Sequence, residues 1–206
     1  LTDMPIFLPC IPEQTKIANF LTTIDERINQ LTRKKELMTQ YKQGVMQQIF
    51  SQQLRFKDDN GEDFGDWEEK KLGDICDVKG GKRLPKDYVL QDEKNAHPYI
   101  TVSDMFDGGV SLEKIRYVPD NAVKFIKSYT ITSDDLFVSV AGTLGVIGFI
   151  PNELNGANLT ENADKLTNIQ CHKKFLYYFL TSGAIRKLVE NTSTKGAQPK
   201  LALYAL

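Results

Sequence analysis

Cations gather where the sequence also holds a glycine pair: Lys79-Gly80-Gly81-Lys82-Arg83, with Lys86 three residues on. Lysine and arginine neutralise phosphate, and consecutive glycines let a backbone approach a phosphate closely. Arginine adds a second capacity. Its planar fork matches the O6 and N7 acceptors of guanine in the DNA major groove, a pairing worth about 1–3 kcal/mol of discrimination. The alternative for this segment is a solvated charged loop. Ser103, Asp104, Thr143, Lys195 and Gln198 form a second set, able either to contact DNA or to cap turns. Gln198 can pair with adenine, but it precedes Pro199, so shaping the turn is its competing role. The rings of Tyr88, Tyr99, Phe106 and Tyr117 can stack on bases, yet such residues more often belong to a core.

No catalytic motif accompanies these groups. The chain has no P-loop, no GxGxxG, no GxSxG and no Asn/Asp-Pro-Pro-aromatic signature of base-methylating enzymes. Gly142, Gly145 and Gly148 recur every three residues, which reads as tight turns or close packing rather than a cofactor loop. Cys10, Cys76 and Cys171 are far apart, and with only His97 and His172 they offer no metal-ligand spacing. No metal and no cofactor are therefore expected in this chain. The dispersed cysteines fit a reducing cytoplasm, the expected location. No apolar run approaches the roughly 18–20 residues of a membrane span, and no membrane partner is expected. The opening Leu1-Thr2-Asp3-Met4-Pro5 lacks a basic flank with an apolar core, predicting no signal peptide, and lacks an initiator Met, predicting a fragment or processed chain.

The net charge of −1 argues at first against a nucleic-acid partner. Its distribution changes that reading. Residues 1–57 carry 8 Lys/Arg against 5 Asp/Glu, and residues 70–206 carry 18 against 15, each block thus +3. Between them, residues 58–69 hold seven acids and no base. An acidic junction masks two mildly basic blocks, which permits DNA binding without requiring it.

The elements that must position these groups fall into three regions: 1–57, 58–69 and 70–206. Pro5, Pro9 and Pro12 impose an extended lead, and Glu13 follows as an acid near a helix start. From Glu13 to about Gln53 apolar residues recur every seven, in the lines Ile17, Ile24, Leu31, Met38, Val45 and Leu21, Ile28, Ile49. Lys35 and Lys42 interrupt the second line. This is a coiled-coil stripe, predicting a helix of roughly 60 Å that wants a partner helix; the alternative is a long surface helix on its own domain. Residues 58–69, with Asn60-Gly61 and Phe64-Gly65, read as an acidic linker. Beyond it, strands are expected at Lys71–Val78, Pro98–Thr101, Ile115–Tyr117, Leu136–Val140 and Val146–Ile150, then a helix from Lys173 to about Glu190. The fold class is α+β: twisted sheets and short helices joined to a long N-terminal helix. Set head to tail, the two chain ends read as one continuous segment, as if a repeat were cut out of phase.

Four segments carry a resemblance. Phe7-Leu8-Pro9-Cys10-Ile11-Pro12-Glu13-Gln14-Thr15-Lys16-Ile17-Ala18 is similar to the start of the conserved helix in specificity subunits of type I restriction-modification systems. Trp67-Glu68-Glu69-Lys70-Lys71-Leu72-Gly73-Asp74-Ile75 with Gly80-Gly81-Lys82 resembles the opening of their target-recognition domains. Ser139 to Gly148 resembles the glycine-punctuated strand-turn-strand in mid-domain, and Lys195 to Leu201 the return to the next conserved helix. None is specific alone; together, in order, they cover essentially the whole chain.

The resemblance implies one half of such a subunit. A whole one carries two recognition domains and two long helices paired antiparallel, and this chain has one of each. It implies a non-catalytic, sequence-specific partner of double-stranded DNA that directs methyltransferase and restriction subunits to a bipartite site. Methyl donor and any ATP would then be bound by those partners. The helix would pair with a second specificity half or a second copy of this chain, and a symmetric pair would read a split palindrome. The competing reading is a coiled-coil interaction adaptor that binds no DNA.

Overall fold

The computed structural model describes residues 4–184, and the chain divides between Arg55 and Phe56 into two units. The first unit is one helix, α1 (Ile11–Phe50). Cys10 precedes it in extended conformation, Pro12 lies in its first turn, and Glu13 adds an acid at the positive end of the dipole. Gln14 folds back, its Nε2 donating to the Pro9 carbonyl at 2.8 Å. Forty residues make about 60 Å of helix. The helix stops where Gln52 turns left-handed (φ 60°), with the Gln52 and Leu54 amides donating to Ile49 and Gln48 carbonyls. No residue of α1 is buried: Ile17, Leu21, Ile24, Ile28, Leu31 and Met38 are exposed, while Val45 and Ile49 are half-buried.

The second unit begins with a tight turn in the acidic stretch. Asp58 Oδ1 accepts from the amides of Asn60 (2.9 Å) and Glu62 (2.8 Å), and Lys57 bridges to Asp63. The strand expected over Lys71–Val78 is not formed. Its first part is a single helical turn, α2 (Leu72–Ile75), started by Asp74 Oδ2 accepting the Lys71 amide at 3.0 Å, and only Asp77–Gly80 is strand (β1). The reason is spacing: Leu72 and Ile75, three apart, both pack on one cluster, which a helical turn allows and a strand's alternation does not.

The remaining strands are β2 (Pro98–Ile100), β3 (Met105–Phe106), β4 (Gly109–Val110), β5 (Arg116–Tyr117), β6 (Thr130–Ile131), β7 (Leu136–Ser139), β8 (Ile147–Phe149), β9 (Ala157–Leu159) and β10 (Ala163–Thr167). They form an antiparallel sheet in the order β1-β10-β7-β8, a mixed sheet β5-β2-β9-β6, and the hairpin β3-β4. β2 and β9 run parallel, so both end at the same edge of the mixed sheet.

β7 joins the two halves of the core. Leu136, Val138 and Val140 face one cluster with Leu166, Leu176 and Tyr177, whereas Phe137 enters another with Ile100, Ile131 and Leu159. Alternating side chains thus bury both faces, which explains a run of apolar residues with no polar partner face. Helix α3 (Lys173–Phe179) covers the first cluster with Leu176 and Tyr177. The expected helix to Glu190 is α-helical to Phe179; Gly183, at φ 123°, breaks the following turn, and residues beyond 184 lie outside the described ones. A third cluster gathers Leu84, Tyr99, Val118, Ala122 and Ile126.

Candidate nucleic-acid interface

Three of the expected segments meet at the edge where β2 and β9 end. Gly81 and Lys82 lie against the start of β10 and the end of β9: the Gly81 amide donates to Ala163 of β10 (3.0 Å) and the Lys82 amide to Leu159 of β9 (2.9 Å). The Thr160 amide donates to Ile100 at 3.1 Å, bringing the end of β9 to the end of β2, where Val102–Asp104 make a short turn. The loop after β7 joins them. Val140 and Ala141 amides both donate to the Asn162 carbonyl, and a side chain at Gly142 would sit 3.7 Å from Val102 Cγ1. Residues far apart in sequence, 81–83, 102–104, 141–145 and 160–162, thus share one rim.

Within that rim the side chains divide. Lys82 is exposed, its ammonium 4.9 Å from the centre of the Tyr129 ring. Arg83 is exposed and donates from Nε to Glu161 Oε1 at 2.5 Å. Ser103 and Thr143 are exposed. Asp104 is buried instead, accepting from the Thr101 amide (2.8 Å) and hydroxyl (2.6 Å), so it holds the turn together. Gly81 has an internal reason: a Cβ there would stand 2.1 Å from the Thr160 carbonyl oxygen. Its space belongs to β9. Gly80 closes β1 opposite Asp164.

Lys79 sits two residues back along β1 and pairs with Asp77 at 3.4 Å. Hydrogen bonds from Asn168 and then Lys79 hold the Asp77 carboxyl below its ordinary range. Lys86 is exposed in the turn closed by the Tyr88 amide on Pro85. Lys195 and Gln198 lie outside the described residues. Of the rings, Tyr99 is buried and its hydroxyl donates to the Lys82 carbonyl at 2.9 Å; Tyr88 packs on Phe125, and Phe106 is exposed.

The loop after β7 owes its shape to Ser139. Its hydroxyl donates to the Thr143 carbonyl (2.5 Å) and accepts the Val146 amide (2.9 Å), while Gly142 and Gly145 take left-handed turns at φ 80° and 75°. Sequence reading missed Lys114 and Arg116, which with Ser103 and Thr101 line an open cleft of about 810 Å³. A basic residue at every second position entering an edge strand was the available signal. It also missed Glu161, an acid with no neighbouring cation in sequence. Among the described residues no group of three His, Cys, Asp or Glu is placed to hold a metal, and no helix is long and apolar enough to cross a membrane.

A long N-terminal helix followed by a unit of small twisted sheets is a combination that comparison with known proteins assigns to a class. Residues 65–206 match the type I restriction modification DNA specificity domain, and the chain belongs to that family. It is 24% identical over 198 residues to the type I restriction enzyme MjaVIII specificity subunit of Methanocaldococcus jannaschii, covering 90% of this chain and 45% of that one. Its fold is similar to the HsdS subunit of Thermoanaerobacter tengcongensis (TM-score 0.54, 18% identity, 96% of this chain, 49% of the other). The S subunit of a type I system from M. genitalium is similarly alike (TM-score 0.54, 20% identity, 94% and 47%). The chain spans about half the length of these relatives.

Proposed function

We propose that residues 70–206 read a DNA sequence through the rim at the ends of β2 and β9, and that residues 1–57 pair with a second specificity half. Residues 58–69 then connect them. The chain itself performs no chemistry and binds no cofactor. It brings methyltransferase and restriction subunits to a bipartite site, and those partners hold the methyl donor and nucleotide. The observation that carries this reading is the convergence of exposed Lys82, Arg83, Ser103 and Thr143 on one rim over a packed frame. Polar side chains on anchored backbone can read base edges, and nearby cations hold the phosphates.

The test is the affinity of the chain for duplex DNA across a salt series. Phosphate contacts release counterions, so affinity falls steeply with salt, and replacing Lys82 and Arg83 together with Ala flattens the log–log slope by about 2 if each neutralises one phosphate. Unchanged affinity in that double variant at low salt removes the loop from the interface. Salt-insensitive or absent DNA binding favours the adaptor reading, for which the exposed stripe of α1 is the supporting observation.

A further inference from the structure

Arg83 differs from Lys82, the other cation of the rim, in being held by a carboxylate that is itself held. Its Nε donates to Glu161 Oε1, and Glu161 Oε2 accepts from the Thr160 hydroxyl at 3.1 Å. Thr160 is buried, and its hydroxyl also receives the Asn162 amide. The backbone around Arg83 is equally fixed: Lys82 is bonded through its amide to Leu159 and through its carbonyl to Tyr99, and Leu84 is buried in the third cluster. The side chain nonetheless remains 74% exposed, against 28% for Glu161.

Which nitrogen is used decides what the arrangement can do. Glu161 takes the Nε edge, and neither Nη has a partner among the described residues. The Nη pair is the end of the fork that spans O6 and N7 of a guanine. A carboxylate on Nε fixes the plane of the guanidinium and points the other end outward, as a second shell orients a reading group. We infer that Glu161 is a positioning residue that presents Arg83 end-on to one guanine of the DNA target. The inference rests on the DNA-reading proposal above.

The experiment presents a pool of randomised DNA duplexes to the intact chain and to R83A, E161A, E161Q and the R83A/E161A double variant, and sequences the bound fractions. Guanine-replaced duplexes then give affinities. The chain enriches a motif with one guanine whose replacement lowers affinity about 10- to 100-fold. R83A loses preference at that position, E161A loses it at the same position while keeping affinity for unselected duplex, and the double variant is no worse than R83A. E161Q retains part of the preference, since its amide oxygen still accepts from Nε. Uniformly tighter binding of E161A to all duplexes would mean that Glu161 only neutralises Arg83, and overturns the inference. So does loss at a different base pair, an unchanged preference, or no enriched guanine. Salt-insensitive binding by the unaltered chain overturns the DNA reading itself. Melting temperatures of both Glu161 variants check that the frame is intact.

Discussion

Gly148 leaves no room for a methyl group: a Cβ there would stand 2.5 Å from the Gly109 nitrogen and 2.6 Å from Phe137 Cζ. Gly81 is equally confined by the Thr160 and Leu159 carbonyls. Gly148→Ala and Gly81→Ala therefore force backbone apart, and each is expected to lower stability by about 1–3 kcal/mol, measured as a fall in denaturation midpoint. Asp164 is a different case. It is buried on the inner face of β10 with no side-chain hydrogen bond among the described residues, and burial pushes its carboxyl above the ordinary range. A raised folded-state value means that the contribution is most favourable below the unfolded value and is lost as pH rises through the folded one. Asp164→Asn is then expected to raise the melting temperature at neutral pH, and the gain should shrink towards acid; a gain independent of pH would point to packing instead. Little of this was legible in the sequence. Lys82 and Arg83 announced themselves by charge, but the Glu161 partner lies 78 positions from Arg83 and only the fold brings it near.

Period decided which elements could be read in advance. The seven-residue spacing of Ile17, Ile24, Leu31 and Met38 specified α1, and apolar runs specified β7 and β8, since both kinds of pattern arise from burial or the want of it. β9 and β10 escaped because Asn158 and Asp164 interrupt them; Asn158 is tolerated inside because its amide donates to the carbonyls of Ile126 and Tyr129. α2 escaped because one helical turn is too short to show a period. For α1 the exposed stripe sets the expectation. A single chain leaves Leu21 (53% exposed) and Leu31 (53%) in water, so pairing should bury them. Light scattering across a dilution series is expected to give twice the chain mass, and Leu21→Asp with Leu31→Asp to return it to one mass without lowering the melting of the second unit. One mass throughout for the unaltered chain would make the missing half of the relatives the partner.

At the scale of the whole molecule, one unit of small sheets and one helix correspond to about half of each relative. Two copies related by a two-fold axis through α1 would present identical rims, so the duplex selected by a paired chain should be a palindrome with an unread interior. Selection from randomised duplexes checks this, and an enriched asymmetric motif would require an unlike second half. The manner in which the loop after β7 is built has a further consequence. Ser139, itself fully buried, ties off the loop from inside, through Thr143 and Val146, so Ala141, Gly142 and Thr143 contribute nothing to the three apolar clusters. Substitutions at the tip of that loop therefore leave the packed clusters untouched, whereas loss of the Ser139 hydroxyl frees the loop from beneath. If the rim reads DNA as proposed, a changed residue at that tip would alter what is recognised without a cost in folding.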